Sequence, residues 1–244
     1  MTNPTRSRKR WRIALAVVVL FAVVGWLVAW PAYLRHSAMR DIERVGGRVV
    51  GEFHGPQWLQ KLGIQFESDY AITLEGSRVT DESLRHLGSM KNLEVLVILD
   101  ANVGDHGLRH IGTMKNLQQL YLHDSRITDD GLKHLSDLPA LEVLSLKNAH
   151  INGEGLKHLG GLSNLLELSL DGTMVGDDGL RHLSVLTNLE SLYLDNTQVT
   201  DRGLKHLKAM TSLYKLPLKN TLGNRSRSVG FVFSQTEKSA TPCA

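Results

Sequence analysis

The chain has 244 residues, 42% of them hydrophobic, and a formal net charge of +3 that is unevenly divided. Residues 1–68 carry a net +6, residues 69–220 a net −5 and the remainder a net +2. A mildly acidic middle without an aromatic-interleaved basic face excludes nucleic acid as the expected partner, and Cys243, the single cysteine, excludes an intrachain disulfide.

Residues 1–12 are basic, with Arg6, Arg8, Lys9, Arg10 and Arg12 and no acid. From Ile13 to Trp30 the chain has eighteen uncharged, almost wholly apolar residues. At about 1.5 Å per residue they nearly span a bilayer core of about 30 Å. Trp11, Trp26, Trp30 and Tyr33 flank the run as interfacial anchors do, and Pro31 ends it. We therefore expect a transmembrane signal anchor over residues 13–32, with the N-terminus cytoplasmic and the rest outside the cytoplasm in a single-pass inner-membrane arrangement. Arg35, Arg40, Arg44 and Arg48 beyond the run weaken the positive-inside signal. A cleaved signal peptide is the rival, but its apolar core is usually shorter and ends in an A-x-A pattern that this sequence lacks.

Residues 33–68 join this segment to a repetitive stretch that begins at residue 69. LRHSAMRDIERVGG reads as a short amphipathic helix stopped by Gly46 and Gly47, RVVGEF as a strand, and GPQWLQKLG as a turn entering a helix.

From residue 69 to 221 the sequence repeats. Leu84, Leu108, Leu132, Leu156, Leu180 and Leu204 fall every 24 residues without insertion or deletion, each followed two positions later by a histidine. One half of the block reads L-x-x-L-x-L, as in Leu189, Leu192 and Leu194, whose last two members alternate as in a one-sided strand. The other half reads D-x-G-L-x-x-L-x-x-L, as in Asp177, Gly179, Leu180, Leu183 and Leu186, which predicts a short helix with an acidic N-cap. Such a unit is too small to bury its apolar face alone, so the units stack into an α/β solenoid of one strand and one helix per repeat. Five full units with degenerate end units are expected, and residues 33–68 are placed to cap the open end.

The repeated polar residues read as architecture. The histidines lie about 100° from the leucine stripe, which makes them boundary residues. Their neighbours Arg85, Arg109, Lys133, Lys157, Arg181 and Lys205 form a basic convex stripe. No acid or cysteine recurs beside the histidines to complete a zinc site, so no metal is expected. Identical aspartates in successive units argue against a catalytic carboxylate pair. No phosphate loop and no nucleophile elbow is present, so neither an enzyme, a cofactor nor a small-molecule substrate is expected.

The chain resembles bacterial membrane-anchored leucine-rich-repeat proteins whose repeat runs L-x-x-L-x-L-x-x-T-x-V-T-D-x-G-L-x-x-L, here LESLYLDNTQVTDRGLKHL at residues 189–207. The resemblance implies the solenoid fold and says little about the ligand; comparable chains carry an I-x-x-x-G-G and G-P-x-W-L segment ahead of the repeats, which supports the capping role. Where the general consensus holds asparagine or cysteine, this chain has Ser77, Ala101, Ser125, Ala149, Thr173, Thr197 and Thr221. No asparagine ladder is therefore predicted, and small side chains let the chain turn tightly instead.

Such repeats bind through the concave sheet, at strand positions that alternate with the buried leucines. Val95, Val97, Leu99, Tyr121, His123, Val143 and Tyr193 are the candidate partner-binding residues, and the expected partner is a protein. Apolar residues at 95, 97 and 99 are unusual on a solvated face. Either they form a binding patch or the capping segment covers them. The alternative function is a structural envelope protein that self-associates or packs through its convex face. Residues 222–244 lose the pattern and read as a disordered tail with one short strand at VGFVF, an abrupt change that reads as a truncated or altered end.

Overall fold

The computed structural model describes residues 48–50, 71–90 and 92–222. The expected anchor at 13–32, most of the 33–68 segment and the tail beyond 222 lie outside the described residues. Among those described, no helix is long and apolar enough to cross a membrane.

Among the described residues, seven strands form one sheet in sequence order: β1 (Arg48–Val50), β2 (Ala71–Glu75), β3 (Val95–Leu99), β4 (Gln119–His123), β5 (Val143–Ser145), β6 (Glu167–Ser169) and β7 (Ser191–Tyr193). β1 runs antiparallel to β2, with Val49 opposite Ile72. Part of the predicted RVVGEF strand thus extends the sheet edge. All later pairs are parallel and unstaggered, so Leu96 pairs with Leu120, Leu120 with Leu144, Leu144 with Leu168 and Leu168 with Leu192. Parallel neighbours require a crossover, and the second half of each repeat supplies it.

That second half departs from a plain α-helix. Short α segments occur at Asp81–Arg85, Asp105–Ile111, Asp177–Arg181 and Asp201–Leu204, while Gly131–Leu135 and Glu154–Gly161 are 3₁₀ throughout. The leucine spacing, shared by every repeat, favours 3₁₀ turns in this half without fixing which repeats are 3₁₀ throughout. Positions i, i+3 and i+6 align on one line at three residues per turn but drift at 3.6. Leu132, Leu135 and Leu138 are all buried, as are Leu156, Leu159 and Leu162. Together with the strand leucines they make one continuous core, each contributing about 1.5–3 kcal/mol by leaving water.

The recurring spacing of acid and glycine within the repeat has a different cause from the predicted N-cap. Gly104 and Gly176 occupy the N-cap positions, and Asp105 and Asp177 are already helical. Each carboxylate instead reaches into the next repeat. Asp81 accepts from Gly104 N–H at 2.8 Å, Asp105 from Thr128 N–H and hydroxyl at 2.9 and 2.7 Å, and Asp177 from the same groups of Thr200 at 2.7 and 2.6 Å. The acids therefore tie neighbouring loops together. In the one repeat that has Gly153 at this position, the chain turns with φ of 115° and packs against Gly179.

The strand-to-loop turn also differs in detail from expectation. Ser125, Thr173, Thr197 and Thr221 are buried and donate their hydroxyls to the carbonyls of Leu122, Leu170, Leu194 and Leu218, which closes the turn with small side chains as predicted. A short amide ladder nevertheless exists one residue earlier. Asn148 Nδ2 donates to Asp124 Oδ1 at 2.8 Å and Asn220 Nδ2 to Asn196 Oδ1 at 2.9 Å. Those residues hold φ between 53° and 58°, a left-handed geometry that Asn and Asp tolerate better than most side chains.

Candidate functional site: the concave sheet

Strand alternation sends Leu96, Ile98, Leu120, Leu122, Leu144 and Leu192 into the core and leaves the residues between them on the concave side. All seven sequence-predicted site residues lie on that side, and all are half-buried. Val95, Val97 and Leu99 pair in register with Gln119, Tyr121 and His123, and Val143 continues the row from Gln119. The structure thus brings six of the seven into one apolar and aromatic patch. Because β3 keeps an accessible concave side, its apolar residues are not fully covered.

Three contacts order the centre of this patch. The His123 ring meets Tyr121 edge-on, with centroids 6.0 Å apart and an interplanar angle of 84°. His123 Nε2 lies 2.9 Å from Ser145 Oγ, and the Tyr121 hydroxyl donates to Gln119 Oε1 at 3.3 Å. Burial, together with the Lys147 charge, lowers the His123 pKa, so the ring is held toward its neutral form. Burial also raises Tyr121, and Glu167 and Tyr193 add to that effect. Glu167 and Tyr193 face the same side of the sheet as Tyr121.

Tyr193 stands apart from the patch. Along its row the sheet runs Tyr121, Ser145, Ser169, Tyr193 on four successive strands. Ser145 is 6% and Ser169 9% exposed, so two small residues form a floor between two rings. The parallel row runs Val143, Glu167, Ser191, Lys215. Lys215 Nζ sits 4.8 Å above the Tyr193 ring centroid. Sequence reasoning missed Glu167 and Lys215 as site residues. The period-two pattern already put Glu167 on this side, and Leu213, Leu216 and Leu218 do the same for Lys215, which joins the sheet through a bridge to Ser191.

The convex side agrees with the boundary expectation. His110, His134, His158 and His182 are half-buried and His206 is exposed, while Arg109, Lys133, Lys157, Arg181 and Lys205 are exposed. Asp130, Glu154 and Asp178, also exposed, stand three residues before Lys133, Lys157 and Arg181, so this face mixes both charges. Among the described residues no group of His, Cys, Asp or Glu is placed to hold a metal ion.

No family model and no curated protein matches the chain. Among solved structures it is similar to an internalin (inlF) from Listeria monocytogenes, at 22% identity and a TM-score of 0.47, covering 62% of this chain and 48% of that one. It is also similar to internalin C2 (inlC2) from the same organism, at 24% identity and a TM-score of 0.49, covering 63% of this chain and 72% of that one. The chain therefore spans about half the length of the first of these structures.

Proposed function

We propose that this leucine-rich-repeat chain is a non-catalytic interaction module, anchored in the inner membrane through residues 13–32 with its repeats outside the cytoplasm, that binds a protein partner on its concave sheet. The observation that carries the reading is the patch formed by Val95, Val97, Leu99, Tyr121 and Val143, which stays half-exposed on a solvent-facing sheet where polar residues ordinarily alternate. Tyrosines such as Tyr121 are enriched among the residues that dominate binding energy at protein interfaces, with apolar neighbours excluding water around them. The anchor rests on the eighteen-residue apolar run alone.

The test is photocrosslinking in intact cells, with a photoreactive residue at position 97 and a control at position 181. A distinct protein adduct at 97 alone is the expected result. Self-adducts at 181, or nothing at 97, would transfer the weight to the alternative of a self-associating envelope element.

A further inference from the structure

The C-terminal half of the concave sheet differs in chemistry from the apolar patch beside it. Tyr121 and Tyr193 border the floor of Ser145 and Ser169, and Glu167 lies in the adjoining row. Rings on two sides and a carboxylate on a third are the arrangement that receives an ammonium or guanidinium group. The chain itself demonstrates the preference: Lys215 places its ammonium over the Tyr193 ring, 4.8 Å from the centroid. Tyr193 also raises the Lys215 pKa, and Glu167 adds to the effect.

A second observation points to a missing polar partner. Ser191 lies between Glu167 and Lys215 in the same row and is 5% exposed. Its hydroxyl makes no hydrogen bond among the described residues, although buried hydroxyls are ordinarily paired.

We infer that Tyr121, Tyr193 and Glu167 form a seat for a lysine or arginine side chain of the protein partner, which Lys215 partly fills in the free chain. The inference rests on the concave-sheet reading and adds the chemistry of the occupant. Continuity with the apolar patch through Tyr121 favours a protein over a free cation, since a partner covering that patch carries its own side chains across the seat. The open, shallow floor suits a side chain delivered by a larger surface.

The experiment uses the full chain in zwitterionic micelles, labelled with 3-fluorotyrosine, and titrates N-acetyl-arginine amide against N-acetyl-citrulline amide, its uncharged analogue. The expected result is a saturable shift of the Tyr121 and Tyr193 fluorine resonances with the arginine probe only. Glu167→Gln weakens it about threefold or more, and Lys215→Ala strengthens it while Lys219→Ala does not. Equal shifts with citrulline, indifference to Glu167→Gln, or equal gains from the two lysine variants would overturn the seat. A position-97 adduct obtained together with any of those outcomes leaves the concave-sheet reading standing and removes this inference alone.

Discussion

Asp129 and Gly155 fit together across two repeats: the carboxylate Oδ1 accepts the Gly155 N–H at 2.6 Å, and a Cβ on Gly155 would strike the Asp129 backbone. The acid of one unit and the glycine of the next are one device. Asp129 also accepts from the N–H groups of Asn152 and Gly153 at 2.8 and 3.1 Å. Asp129→Ala strands three donors and is expected to cost about 2–3 kcal/mol in denaturant unfolding of the full chain. Asp201, the last of the series, is exposed and accepts no hydrogen bond among the described residues, so Asp201→Ala is expected to stay within about 0.5 kcal/mol. Equal losses at the two sites would contradict the inter-repeat role.

Gly131 supplies a coupled version of the same test. A Cβ there would meet the Asp105 carboxylate, which is a side chain and can be removed. Gly131→Ala alone is expected to destabilise by about 1–3 kcal/mol, and part of that loss should vanish in an Asp105→Ala background. Strict additivity in the double-mutant cycle would show that the two residues do not share space.

Asp100 comes directly after strand β3 with φ of 51°. Glycine adopts that geometry without strain, so Asp100→Gly is expected to be neutral or to stabilise by up to about 0.5 kcal/mol, whereas Asp100→Val should cost more than about 1 kcal/mol. Thermal unfolding midpoints in the reverse order would show that the side chain, not the backbone, governs this turn.

Two aspartates give opposite responses to acid. Burial pushes Asp177 up, but hydrogen bonds from the Thr200 hydroxyl and from the Thr200 and Gly203 N–H groups outweigh it and hold the acid below its ordinary 3.8. Its contribution to stability is therefore present above the unfolded value and is lost as pH falls through the lower, folded one. Burial raises Asp171 above 3.8, against the pull of the Asp195 N–H that donates to it at 2.7 Å. Its charge disfavours the fold above its folded value, and that penalty lessens as pH falls toward the unfolded one. Asp177→Asn should thus flatten the acid limb of the stability profile below about pH 4, and Asp171→Asn should leave neutral-pH stability equal or higher. Unfolding midpoints measured from pH 7 to pH 3 would show either response, and a shared sign would refute the assignment.

Position-by-position reading of the sequence reached the concave residues because alternation needs only a period of two. Val97 and Tyr121 are legible directly from their places between buried neighbours. The insertion-free 24-residue spacing also aligns Tyr121, Ser145, Ser169 and Tyr193, but nothing in it indicates that Lys215 lies above the last ring. The reading of Asp105 and Asp177 as N-caps failed for a related reason. A carboxylate before an apolar stripe looks the same whether it serves its own helix or the loop of the next unit.

What the sequence determined by itself was everything periodic: the 24-residue unit, the buried leucines, the strand half and the exposed convex bases, because each depends only on which side of a local segment is apolar. Tertiary structure decided the rest. Stacking fixed which repeat each aspartate serves, why a glycine stands opposite it, and which side chains meet across the concave sheet, since hydrogen bonds and the Lys215–Tyr193 contact between residues 22 to 26 positions apart exist only once neighbouring units lie in register.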